Sequence, residues 1–302
     1  MTARTSASAA KLLLPAVLAG AFGLAQADEN LFGYVKGAET LPQGSWELYE
    51  ILTQRSDKGT GTYRALDSKT ELEYGLTHRL TGSAAFKMMS VDTKGLLING
   101  YLPEDRKTGL RASGVELALK YNFLSAAKDD LGLSSTFEFN YDWLDPHSGQ
   151  DKTKFEFELG LQLQKYFAEG QVSWVGNAAL ETTYAKRGKI SNLPADFEWS
   201  TDPEMEIGLK FGTGISYRFA PKWSIALEAL YEAENETEVG LERWSIFAGP
   251  TLHYGDKQWW FTATWMPQIR GGGERYDGQR DTDLHLIEKT KQEIRFKVGY
   301  NF

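Results

Sequence analysis

From Lys154 to Gln164 the chain alternates without a break. Phe155, Phe157, Leu159, Leu161 and Leu163 share one face, and Lys154, Glu156, Glu158, Gly160, Gln162 and Gln164 share the other. A helix would scatter both sets around its circumference, whereas a strand, whose side chains point alternately up and down, sorts them cleanly. The same period returns where Met205, Ile207, Leu209, Phe211, Thr213, Ile215 and Tyr217 oppose Glu204, Glu206, Gly208, Lys210, Gly212, Gly214 and Ser216. It returns again with Phe137, Phe139, Tyr141 and Trp143 against Thr136, Glu138, Asn140 and Asp142. Strands this long with one uniformly apolar face exceed what a soluble sandwich usually contains.

Twelve such segments are predicted, at about 44–53, 62–74, 80–91, 110–123, 133–144, 153–166, 172–185, 203–218, 223–233, 241–254, 258–266 and 285–302. The connections alternate between mostly short turns and longer polar loops, the longest at 92–109, 186–202 and 267–284. Five turns on one side and six loops on the other put both chain ends on the short-turn side. That asymmetry, with an even strand number, predicts an all-β fold, a transmembrane antiparallel up-and-down β-barrel over residues 44–302. Twelve strands is the count, with ten and fourteen open because the loop after the ninth is short and the turn after the fourth is long. Aromatic residues crowd the turn-side ends (Trp46, Tyr74, Tyr121, Tyr217, Trp223, Tyr254, Trp259, Tyr300) and recur at the other ends (Trp143, Phe155, Tyr184, Tyr231, Trp244, Trp265). Two girdles of amphipathic rings mark the two water–lipid boundaries. Pro250, which cannot donate to a ladder, predicts a bulge within 241–254.

The first 27 residues have a different character. Arg4 and Lys11 precede an apolar run from Leu12 to Leu24 and the small-residue site Ala25-Gln26-Ala27. This is the layout of a secretory signal, too short for a permanent span, with Ala25 and Ala27 as the cleavage determinants and Asp28 as the first mature residue. The remainder carries 31 basic against 41 acidic residues, a balance of −10 that argues against a nucleic-acid partner. No Cys is present, which excludes disulfides, thiolate metal sites and a lipoprotein anchor. Aromatics at 13%, 30 glycines and no later stretch of 18 apolar residues fit a barrel and exclude a helical membrane protein.

The last strand places Ile294, Phe296, Val298, Tyr300 and Phe302 on alternate positions and ends on the aromatic residue. It resembles the C-terminal signal by which the bacterial barrel-assembly machinery recognises Gram-negative outer-membrane proteins. The stretch from Gly37 to Trp46 is similar to the lead-in to strand one of several porin-like barrels. The resemblance implies a bacterial outer-membrane location, contact with outer-membrane lipids, and the assembly machinery as a partner during biogenesis. It would allow a solute channel without naming a solute, and a monomer is expected.

If the apolar faces meet lipid, the polar faces line the interior. The lining candidates are Glu71, Glu73, Glu156, Glu158, Glu204, Glu206, Lys210, Arg243, Arg295 and Lys297. Twelve strands fall between barrels that side chains fill and those that leave an open channel. One expectation is therefore a narrow channel for small polar or cationic solutes, since acids outnumber bases. The alternative is a plugged structural or adhesive barrel whose charges pair across the lumen. Residues 28–43, with Leu31, Phe32, Tyr34 and Val35, are read as a periplasmic N-terminal segment or plug, because exposure of those side chains to water is unfavourable. An outer-membrane lipid-modifying enzyme is a further alternative, but His78, His147, His253 and His285 lack a paired nucleophile on the same strand face. His147 with Asp145, Ser148 and Asp151 reads equally as a polar loop, Asp281 and Asp283 do not make a metal site, and Gly271-Gly272-Gly273 reads as a loop. No catalytic residue, metal or cofactor is assigned.

Overall fold

The computed structural model describes residues 30–96, 105–191, 199–236 and 240–302. The expected leader and cleavage site lie outside the described residues, as do parts of three of the longer loops. The strands are β1 (Trp46–Ser56), β2 (Thr62–Thr77), β3 (Leu80–Lys94), β4 (Arg106–Lys107), β5 (Arg111–Leu124), β6 (Gly132–Leu144) and β7 (Asp151–Phe167). They continue with β8 (Val172–Arg187), β9 (Glu204–Ala220), β10 (Trp223–Glu236), β11 (Gly240–Gly255), β12 (Trp259–Gly273) and β13 (Gln292–Asn301). Each long strand pairs antiparallel with its neighbours in sequence, and β1 pairs with β13, so twelve strands close into a barrel; β4 adds a two-residue strip beside β3. The seam is sealed by reciprocal bonds between Trp46 and Phe302, whose N–H and C=O groups each lie 3.0 Å from the other's. Closure leaves no open sheet edge, which the hydrocarbon layer requires.

Burial is inverted relative to a soluble protein. Leu117, Leu159, Ile207, Phe211, Ile215 and Leu227 are exposed on the outer wall, while Glu71, Glu116, Lys120, Gln164, Glu228 and Lys297 are buried inside. The short-turn end carries the ring pairs Trp46–Tyr74 (4.3 Å between centroids), Trp259–Tyr300 (4.7 Å) and Trp223–Tyr254 (5.0 Å). Tyr141–Phe155 (5.0 Å) and Tyr231–Trp244 (6.4 Å) lie toward the other end. One carboxylate breaks the outer apolar band: Glu50 stands between exposed Leu48 and Leu52. It accepts bonds from Ser68 Oγ (2.6 Å) and Thr70 Oγ1 (2.5 Å) across the β1–β2 pair, so the strand carries its own hydrogen-bond donors into the lipid face.

Most strand ends fall within three residues of the sequence reading, and two boundaries differ by more. The last strand begins at Gln292 rather than 285, because His285, Leu286 and Ile287 turn into the lumen and are buried. The preceding strand runs on through Pro267 to Gly273, so the glycine run is strand and not loop. Gly272 belongs there because a Cβ would fall 2.7 Å from the Trp244 ring nitrogen on β11. The irregularity anticipated at Pro250 takes the form of a register shift at Ile246/Phe247, and the β11–β12 ladder has no bridge between Phe247 and Thr251.

Candidate functional site: the closed lumen

The interior wall is a lattice of ion pairs. Lys69 binds Glu71 (2.7 Å) and Glu116 (2.9 Å), Lys87 binds Asp142 (2.6 Å), and Lys210 bridges Glu158 (2.7 Å) and Glu181. Glu73 accepts from Tyr49 (2.8 Å), Glu156 pairs with Lys154 and accepts from Asn140 (3.1 Å), and Glu204 pairs with Arg187 (3.1 Å). Arg243 contacts Glu234 and Glu288, and Glu206 is half-buried on the same luminal face. In a low-dielectric interior, an ion left without its partner by mutation is strongly destabilising, by about 3–5 kcal/mol, so such a lattice holds the wall in one arrangement. The ten proposed lining residues thus share the interior, but two of them, Arg295 and Lys297, engage something other than the wall.

That object is residues 30–41. Entering beside β12, β13 and β1, the segment crosses to β10, then β8 and β7, and returns along β5 and β3 to join β1. Glu228 of β10 accepts three consecutive backbone N–H groups, those of Gly33 (2.7 Å), Tyr34 (2.8 Å) and Val35 (3.1 Å). Asn177 of β8 accepts from the Lys36 N–H (2.7 Å) and donates to its carbonyl (2.8 Å). Gln164 accepts from Ala38 N–H (2.7 Å), Lys120 donates to Gly37 O (2.7 Å), and Asn122 donates to Ala38 O (2.7 Å). Arg295 donates to Gly33 O (3.0 Å) and lies 3.7 Å over the Tyr34 ring, whose hydroxyl donates to Glu293 (2.7 Å). Phe32 and Val35 are buried with Val175 and Ala226. They sit against β9 where it has no side chain: a Cβ on Gly214 would lie 2.7 Å from Phe32. Lys36 pairs with Glu138, and Glu39 caps the β5–β6 turn through Ser125 (3.0 Å).

The opposite end of the lumen holds different chemistry. Tyr63 and Ala65 of β2, Met89 and Val91 of β3, Leu96, Leu144 and Ile287 form one buried apolar cluster, with Trp143 and Tyr276 against it. Between the segment and this cluster lies a cavity of about 430 Å³, lined by Tyr34, Val35 and Lys36 on one side and by Met89, Leu144 and Pro146 on the other. Arg55, Lys87, Glu138 and Asp142 are among its walls, and Arg55 makes a bidentate pair with Asp67 (2.6 and 2.9 Å).

The other sequence candidates are dispersed. Asp145 accepts from Ser148 N–H (3.0 Å) and Oγ (2.6 Å), so it ties off its own loop. His147 is half-buried there, and desolvation followed by the charges of Lys58 and Arg55 holds its pKa well below the ordinary imidazole value. Asp151 is exposed at the start of β7, and Asp281 pairs with Lys291. His253 Nδ1 is 2.8 Å from Thr262 Oγ1 in the lumen. The odd-numbered positions Glu293, Arg295, Lys297 and Gly299 of β13 face inward, and Ile294, Phe296, Val298 and Phe302 are exposed to the lipid side. Sequence reasoning puts Glu228 and Gln164 on the luminal face but gives neither of them, nor Asn177 or Asn122, a partner, because their common partner is a segment 84 to 195 residues away along the chain.

Residues 24–302 match the family described as a family of unknown function (DUF6662), and the chain belongs to it. No curated protein matches by sequence. Among solved structures, the fold is similar to the COG4313 outer membrane channel from Pseudomonas putida F1, with a TM-score of 0.57, 14% identity, and coverage of 87% of this chain and 97% of that one. It is similar as well to the beta domain of the Bordetella autotransporter Brka, with a TM-score of 0.56, 12% identity, and coverage of 86% and 100%. The architecture is that of outer-membrane barrels. A channel and an autotransporter domain share it, so architecture alone does not choose a function.

Proposed function

We propose that this protein is a gated channel of the bacterial outer membrane for small polar solutes, exported by its N-terminal leader and closed at rest by residues 30–41. The observation that carries the reading is that the segment contributes no strand to the barrel wall. Its main chain is satisfied by side chains such as Glu228, Asn177 and Gln164, all of which can turn to water when it leaves. A hydrogen bond exchanged for one with water changes the free energy by only about 1 kcal/mol, so departure does not dismantle the wall.

Selectivity follows from the lining that departure uncovers. The segment carries away both Lys36 and Glu39, whose charges cancel, and it uncovers Glu138 and Glu228 together with Lys120, Arg295 and Lys297; cation preference therefore rests on the excess of acids over bases among the lining residues as a whole. Single-channel recording in planar bilayers tests the reading, comparing chains that begin at residue 28 and at residue 42, with selectivity from the reversal potential under a salt gradient. Larger, steady, cation-preferring openings of the shorter chain are expected. A folded barrel that stays silent in both forms would sink the channel and leave a plugged structural or adhesive barrel.

A further inference from the structure

The luminal wall holds residues 30–41 chiefly by their main chain. Glu228 collects the N–H groups of three consecutive residues, as a carboxylate does in a backbone nest. Asn177 reads both the N–H and the C=O of Lys36, the pairing one amide makes with another. Lys120, Asn122 and Arg295 donate to carbonyls of Gly37, Ala38 and Gly33. Every peptide presents these groups whatever its side chains.

Three positions add selectivity. The bare backbone of Gly212 and Gly214 makes room for apolar side chains, filled by Phe32 and Val35. Position 33 must be glycine, because a Cβ there would lie 2.3 Å from Thr264 Oγ1, a side chain of the barrel wall.

We infer that the wall around Glu228, Asn177 and Gln164 is a peptide-binding site, occupied at rest by the protein's own N-terminal segment, for a curled peptide with a glycine preceded by an apolar residue. The inference rests on the gating reading, since the site is free for another peptide only when residues 30–41 have left it. The wall matches a peptide group by group: Glu228 and Gln164 accept from N–H groups, Arg295, Lys120 and Asn122 donate to carbonyls, and Asn177 meets both groups of one residue.

The test uses a fluorescent synthetic peptide of residues 30–41 and the barrel beginning at residue 42, with anisotropy as the readout. Saturable binding is expected. N-methylation at Tyr34 and Val35, which removes two of the three N–H groups on Glu228, should weaken it at least about tenfold, as should Gly33→Val; Thr40→Ala, which gives up only an exposed contact with the His78 carbonyl, should cost less than about threefold. Equal binding of the methylated and unmethylated peptides would overturn the inference.

If the shortened barrel does not fold, the longer chain serves. It has no Cys, so Leu31→Cys provides a single thiol. Its reaction with a bulky maleimide should quicken several-fold in millimolar native peptide and not in the methylated one; no change with either counts against the site. Should Glu228→Gln raise conductance while no peptide binds, the gated channel stands and the peptide site falls.

Discussion

The two ends of the lumen are filled by different means. At the short-turn end a single segment is held mainly by hydrogen bonds to Glu228, Asn177, Gln164 and Arg295; at the long-loop end Tyr63, Met89, Val91, Leu144 and Ile287 meet as an apolar cluster. On the gating reading, the first barrier opens by exchanging its hydrogen bonds for water and releasing the buried Phe32 and Val35, and the second opens when its apolar cluster wets. Two such barriers in series would make conduction respond to whichever resists more, so perturbing one end reports on both.

The largest effect is expected from beginning the chain at residue 42, which should raise conductance about tenfold or more; an unchanged value would make the outer cluster the dominant barrier. Next comes Leu144→Ser, which wets that cluster. In the shortened chain it should add several-fold conductance, and in the longer chain less than about twofold, because the inner closure still limits flow. Equal effects in both backgrounds would contradict a series arrangement. Glu228→Gln keeps the shape but removes the charge that strengthens three hydrogen bonds, so open probability should rise severalfold with unitary conductance unchanged.

A smaller effect separates the ends by pH. His285 precedes Leu286 and Ile287 in the inward-folded loop, and burial, then the charges of Arg243 and Lys289, lower its pKa from 6.5 to about 3. Because the folded value lies below the unfolded one, the neutral ring's full stabilisation holds above about pH 6.5 and is lost as pH falls toward about 3. Protease nicking of the 274–291 loop should therefore quicken across that window, by no more than about tenfold per unit for one proton, and stay flat above it. His285→Gln together with His147→Gln should flatten the curve, and a slope that survives would assign the titration elsewhere.

What the sequence discloses follows the period-two rule. β7 and β9 are legible because Phe155 to Leu163 and Met205 to Tyr217 never lose phase, and lipid on one side with water-like polarity on the other leaves each residue one choice. The boundary between β12 and β13 is less legible: His285, Leu286 and Ile287 look strand-like, and only their contact with the interior, where Leu286 O accepts from Gly59 N–H at 3.0 Å, shows that they are loop. Charges could be placed on the luminal face from alternation alone, but their pairing could not, since Lys69 reaches past β3 to Glu116. The segment's binding was illegible for a different reason. Recognition of a main chain leaves no mark on the side chains recognised, and Gly33, whose lack of a side chain is required by Thr264, looks like any other glycine.

The short join between the segment and the barrel is itself fastened. Leu41 N–H bonds Thr81 (2.9 Å), Ser45 N–H bonds Pro42 O (3.1 Å), and Gly44 N–H bonds Gly75 O (2.8 Å) on β2. A released segment therefore stays within a few residues' reach of its seat, at a local concentration on the order of millimolar. Reclosure is then a first-order event whose rate ignores how many copies the membrane holds, and a diffusing competitor of equal intrinsic affinity must match that concentration to keep the lumen open.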